Sequence, residues 1–296
     1  MFQIISDGSC EFSKEEAKKH QVEVVPFYIS FDDISHLKEG VDISKEEFFK
    51  RLLTEKGLFP KTSQPSPQDY VDVYTPHLKA GKDLLTLTIS SKLSGSHASA
   101  VMAAEMLREE YPDRTITLID SLNVSIGQGL ILREIIRMRD AGYSLERTTA
   151  LAEKILKATR VYCTLDSLEY LRRGGRIGPT TALVGGLLGL RPILQLEDGQ
   201  ISQLESVRGK KNAMKLIEKA MVAVLKDDAE RISICIGHIL SEEDAIAFKA
   251  SVESALGTKI ESPITDVGVT IGSHAGPGAL AFAYCGKYEA FEEGEV

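Results

Sequence analysis

The chain has 296 residues, 43% hydrophobic and 26% charged, enough apolar material for one large domain or two medium ones. A formal net charge of −8 disfavours nucleic acid as a partner, because phosphate binding needs a net-positive face. The four cysteines (Cys10, Cys163, Cys235 and Cys285) show no CxxC spacing, which excludes an ordinary zinc site, and no apolar run reaches the ~20 residues of an integral membrane segment. The N-terminus also lacks a basic stretch followed by a long apolar one, so the expected compartment is the reducing cytoplasm.

Phe2–Ile5 is β-prone and ends in Ser6-Asp7-Gly8-Ser9. Ser13 to Glu16 is a capping box that opens a helix, and Val22–Ile29 is the next strand. Ser44 to Glu47 opens a second helix, which runs to about Glu55 before Gly57 and Pro60 stop it. Ser66 is an N-cap with Pro67 at the first helical position, so a helix is expected over Pro67–Lys79. Leu84–Ile89 is an apolar strand, followed by a polar loop from Ser90 to His97 and a helix over Gly95–Glu110. Thr115–Ile119 is a strand ended by Asp120-Ser121, and helices follow over Ile126–Met138 and Leu145–Lys157.

This alternation predicts a three-layer α/β/α domain over residues 1–158, with a mostly parallel sheet. The second half, 159–296, differs. Strands are expected at Arg160–Cys163, Pro192–Leu196, Gln200–Glu205, Ile232–Ile236, Ile260–Pro263 and Val267–Ile271, and Ala279–Tyr284 is a last apolar run. Asp198-Gly199 is a hairpin signal, and helices are expected at Leu165–Arg172, Lys210–Leu225 and Ser241–Leu256. The pattern predicts an α/β domain with a mixed or antiparallel sheet.

Ser90–His97 joins a strand to a helix, and the unpaired amides of a helix start, with nearby hydroxyls, suit a carboxylate or phosphate. A plain helix cap would use the same residues. Thr62 and Ser63 form a second hydroxyl-rich helix entry, and neutral donors hold a carboxylate without burying a further charge. In Gly272–Gly278, Ser273 and His274 stand among three glycines and a proline, where backbone turns sharply or meets something closely. Arg172-Arg173-Gly174-Gly175-Arg176 is either a solvated turn or a guanidinium patch, and Arg208-Gly209-Lys210-Lys211 is a second basic cluster. No P-loop, GxGxxG or His-Glu-x-x-His pattern occurs, so neither a nucleotide nor a metal is indicated. A serine hydrolase of lipid esters built on Ser94 and a histidine is the enzyme alternative, although Leu93-Ser94-Gly95 is not a nucleophile elbow.

Thr62-Ser-Gln-Pro-Ser66, Ser90-Ser-Lys-Leu-Ser-Gly95, Asp120-Ser121 with Gly127-Gln-Gly129, Arg172-Arg-Gly-Gly-Arg-Ile177 and Gly272-Ser-His-Ala-Gly-Pro-Gly-Ala-Leu280 occur in this order along nearly the whole chain. In this the sequence resembles the DegV family of bacterial fatty-acid-binding proteins. Two stretches depart from the family's usual pattern: Ser96-His97 follows Leu-Ser-Gly, and Ala281 stands where glycine is frequent.

The resemblance implies a two-domain protein that buries one long-chain fatty acid, such as palmitate, between its halves. Thr62 and Ser94, with Ser63 and the Gly95 amide, would hold the carboxylate, and Ser273 and His274 would lie near it. Arg173, Arg176 and Arg208 would dock a fatty-acid kinase subunit that phosphorylates the bound acid for phospholipid synthesis. The protein would then be a carrier with no catalytic residue and no cofactor, transient membrane contact being admitted. Val184, Leu187, Leu188 and Leu190 are candidate tunnel liners, with ordinary core as the simpler reading.

Overall fold

The computed structural model describes residues 2–55, 57–177, 190–225 and 229–292. In chain order the elements are β1 (Gln3–Asp7), α1 (Lys14–Lys19), β2 (Val22–Val25), β3 (Tyr28–Ser30), β4 (Leu37–Lys38), α2 (Lys45–Thr54), β5 (Lys61–Ser63), α3 (Pro67–Lys79), β6 (Leu84–Thr88) and α4 (Ser96–Leu107). They continue with β7 (Ile116–Asp120), α5 (Ile126–Asp140), α6 (Leu145–Ala158), β8 (Arg160–Thr164), α7 (Glu169–Gly174), β9 (Leu190–Glu197), β10 (Gln200–Arg208) and α8 (Lys210–Leu225). The last are β11 (Ile232–His238), α9 (Glu242–Leu256), β12 (Thr265–Asp266), α10 (Val269–Ala275) and β13 (Leu280–Gly286).

The first half builds a parallel sheet in the order β2-β1-β6-β7. Side chains alternate across a strand, so neighbours Ile4 and Ile5 enter different cores. Ile5 packs with Tyr70, Tyr74 and Ala100 from α3 and α4, whereas Ile4 packs with Leu130 and Ile131 of α5. The second half builds a mixed sheet in the order β10-β9-β8-β13-β11-β12, antiparallel except where β12 joins β11. Helices α8 and α9 cover one face of it through Ile217, Met221, Phe248 and Val252. Helix α5 packs against both sheets, which joins Leu130 to Cys235 and Ala283 in one core.

Asp198 and Gly199 both have positive φ, as the β9–β10 hairpin turn requires. Ser13, Ser44, Ser66 and Ser144 cap their helices as side-chain acceptors, and Ser66 with Asp69 completes a capping box.

Three expectations are corrected. Val22–Ile29 is two strands in two sheets, because Pro26 has no N–H to continue the ladder with β1. Beyond it, β3 joins β4 and β5 in a small antiparallel sheet that carries Thr62 and Ser63. Val267–Ile271 is no strand: the chain enters helix α10 at Val269, with Gly272 packed against Phe49. Ile260–Pro263 forms no strand, and Ile260 instead packs into the core beneath α8 and α9. β-propensity marks residues that fit a half-buried surface, and here helical surfaces take them.

Candidate functional site

The small sheet, loop Ser90–Gly95, α10 and the mixed sheet surround a cavity of about 440 Å³. That volume falls within the range of ~300–1,000 Å³ usual for small-molecule pockets. Its walls are mostly aliphatic: Leu165, Leu171, Leu194, Leu196, Ile201 and Ile239 among others. Ala281, where the family favours glycine, is part of the lining, so that departure falls on the cavity wall.

Polar groups gather at one cluster. Thr62 Oγ1 and His274 Nε2 are 2.7 Å apart, although 212 positions separate them in sequence. Both line the cavity, with Ser63, Gln64, Ser94 and Arg176. The Ser94 hydroxyl accepts the Ser96 amide at 3.2 Å, so its own proton remains to be donated. Arg176 Nε donates to the Leu93 carbonyl at 3.1 Å and another nitrogen donates to the Gly174 carbonyl. Among the described residues no carboxylate pairs with this half-buried cation.

Burial, and to a lesser extent the Arg176 charge, pushes the His274 imidazole down to about 4, so it is neutral near pH 7. Its Nδ1 is buried without a partner among the described residues and faces Gly174, where a Cβ would stand 2.2 Å away. A proton on Nδ1 would be a stranded donor, so the less costly tautomer carries it on Nε2 and donates to Thr62. The Thr62 hydroxyl is then left as a donor toward the cavity. The cluster therefore offers two hydroxyl donors beside a cation that meets no carboxylate among the described residues, an arrangement matched to an anionic oxygen.

Of the sequence-derived candidates, Thr62, Ser63, Ser94 and His274 come together at the cavity. Gly95 is not a lining residue; its missing Cβ makes room for Gln64, whose side chain would otherwise meet it at 2.2 Å. Ser273 points away: its hydroxyl is buried and donates to the Val269 carbonyl of its own helix. Arg176, expected as a docking residue, lines the cavity, turned inward by two backbone carbonyls. Arg173 and Arg208 are exposed, Arg173 bonded to Glu169 and stacked over Phe59 at 3.8 Å. Leu190 opens β9 outside the lining, and Val184, Leu187 and Leu188 lie outside the described residues. Among the described residues neither His97 nor His274 bonds Ser94; they bond Thr88 and Thr62, so the hydrolase alternative finds no nucleophile–base pair.

Sequence reasoning missed Gln64, whose Nε2 donates to Ser99 at 3.2 Å, and also Ser125, His238 and Thr270 in the lining. Gln64 adjoins Thr62-Ser63 in sequence, and that adjacency was the signal available. Thr270 was hidden by the strand reading of its segment. No group of three or more potential metal ligands occurs among the described residues, and no helix there is long and apolar enough to cross a membrane.

The family model described as uncharacterised protein, DegV family, matches residues 1–287. A DegV domain-containing protein of Clostridium acetobutylicum is 34% identical over 284 residues, covering 95% of this chain and 96% of its own. The crystal structure of a stearic acid-binding protein from Eubacterium ventriosum superposes with a TM-score of 0.93 at 32% identity, covering 98% of this chain and all of that one. A fatty-acid-binding DegV family protein from Thermus thermophilus gives 0.86 at 32% identity, covering 96% and 99%. With the motifs in order and the match spanning nearly its full length, this chain belongs to the DegV family.

Proposed function

We propose that the protein binds one long-chain fatty acid, with the carboxylate held by Thr62 and Ser94, the Thr62 hydroxyl oriented by His274, and the acyl chain in the aliphatic cavity. The observation that carries this reading is an apolar cavity whose polar end holds two spare hydroxyl donors and Arg176, which meets no carboxylate among the described residues. Each buried CH₂ contributes about 0.8 kcal/mol, so a chain of ~16 carbons supplies most of the affinity. The head group then needs only satisfied hydrogen bonds. Residues 1–158 supply Thr62 and Ser94, residues 159–296 supply His274 and most aliphatic liners, and the acid lies between them.

In this reading the protein is a cytoplasmic carrier, not a catalyst. It presents the acid to a fatty-acid kinase that docks on the exposed Arg173 and Arg208. Palmitate is the acid chosen for testing. Native mass spectrometry of protein purified from bacteria is expected to show an adduct of ~250–300 Da, the mass of chains of ~16–18 carbons. An empty protein that also refuses labelled palmitate contradicts the reading. Arg173→Glu with Arg208→Glu is expected to abolish kinase-dependent phosphorylation of the acid and to leave palmitate binding intact.

A further inference from the structure

Helix α10 begins at a glycine, Gly268, so its N-cap has no side chain to bond the exposed amides. Those amides are nevertheless met by two glutamates from the first half of the chain. Glu39 Oε1 accepts the Val269 amide at 2.6 Å and the Thr270 amide at 3.3 Å, and its other oxygen takes the Thr270 hydroxyl. Glu11 Oε2 accepts the Gly268 amide at 2.6 Å, and its Oε1 takes the Ser125 hydroxyl at 2.8 Å. Thr270 and His274 on α10 line the cavity, as does Ser125 at the start of α5.

Two half-buried acids side by side are a costly way to cap a helix. Burial pushes Glu11 up to about 8 and raises Glu39 as well, against the nearby Lys45 charge. A serine or aspartate at 268 would cap the same amides locally. What the glutamates add is a link: they tie the second-half helix to the β1 and β4 loops and to the α5 wall of the cavity.

We propose that Glu11 and Glu39 are positioning residues that dock α10 from the first half of the chain, and so hold His274 and Thr270 against the cavity. The helix end is filled by these carboxylates and needs no ligand. Gly268 is the contact point: a Cβ there would stand 2.9 Å from Glu39 Oε1 and 3.1 Å from Glu11 Oε2. The backbone at Gly268, with φ −75° and ψ −178°, suits alanine, so Gly268→Ala disturbs only the two carboxylate tips.

The effect on ligand rests on the fatty-acid reading; the docking itself does not. Hydrogen exchange of the full-length, delipidated protein reads the docking, and calorimetric titration with palmitate reads its consequence. In Glu39→Ala we expect exchange at residues 269–275 to rise about tenfold or more, with β1 and β6 unchanged, and palmitate affinity to fall about fivefold or more. Glu39→Gln, which keeps the shape and one acceptor oxygen, recovers most of both. If Glu39→Ala fails to fold, Gly268→Ala carries the test and gives the same local pattern. Unchanged exchange at α10, a rise spread evenly over β1 and β6, or an unchanged palmitate affinity overturns the proposal. A wild-type protein that takes no palmitate, while α10 still responds to Glu39→Ala, refutes the fatty-acid reading and leaves the docking standing.

Discussion

The Asp7 network and the Thr62–His274 cluster are both built from polar residues near strand ends, yet they differ in what is left over. The Asp7 carboxylate is fully buried and receives five contacts: the Ser9 amide and hydroxyl, Gln128 Nε2, the Ile89 amide and the Ser96 hydroxyl. Tyr70 in turn bonds Ser96 at 2.7 Å, so the network closes on itself. At the other cluster, His274 Nδ1 has no partner, the Thr62 and Ser94 protons have no described acceptor, and Arg176 meets only carbonyls among the described residues. A closed network stiffens a fold, and an open one is matched to something that arrives. Asp7 holds the loop that carries Ser94, so the first cluster is the support of the second.

The largest expected effect comes from breaking the support. Asp7→Ala strands several buried donors and should cost about 3 kcal/mol or more in urea unfolding. A smaller loss would mean that water or neighbours replace the carboxylate. At the open cluster the order of effects reverses. Thr62→Ala with Ser94→Ala should weaken palmitate binding about 10–100-fold, or ~1–3 kcal/mol, with little change in unfolding midpoint. Equal losses in stability and affinity would erase the contrast between the two regions.

Gly174→Ala sharpens it further. The added methyl meets His274, while the φ of Gly174 is not positive, so the cost falls on packing at the cluster. About tenfold weaker binding is expected, at ~1–2 kcal/mol, with the α7 helix intact by circular dichroism.

A pH slope reports on the same histidine from the side of stability. His274 has a folded value of about 4 against an ordinary value of 6.5, so the unfolded chain binds more protons between those limits. The His274 contribution to stability should therefore rise with pH across roughly 4 to 6.5 and level off above, against an opposite contribution from Glu11, whose raised value makes it fall as pH climbs toward about 8. His274→Gln should flatten that rise, and an unchanged slope would place its origin elsewhere.

Much of the architecture could be read from the chain. Ser13, Ser44 and Ser66 announced their helices, and Asp198-Gly199 announced its hairpin, because caps and turns depend on side chains a few positions away. The segment at 267–271 was misread because its helix is capped by Glu11 and Glu39, more than 200 positions earlier. The serines show the same limit. Ser90, Ser94 and Ser96 are chemically alike, yet Ser90 bonds the Gly199 carbonyl, Ser96 bonds Asp7, and only Ser94 lines the cavity. Their spacing placed the loop, but which hydroxyl faces inward depends on packing. Ser96, a departure from the family pattern, belongs to the support and not to the head group. Arg176 was grouped with the docking arginines because three arginines beside two glycines suit a guanidinium patch, whereas the Leu93 and Gly174 carbonyls draw it inward.

The central claim is that the Thr62–Ser94–His274 cluster grips a fatty-acid carboxylate. Carboxyl-labelled ¹³C palmitate, added to delipidated protein and followed by NMR, tests it most directly. The account predicts one bound resonance, displaced from the free acid, that moves or broadens in the Thr62→Ala, Ser94→Ala double variant. A carboxyl signal that stays at its free position with the wild type, or that is identical in the double variant, contradicts it.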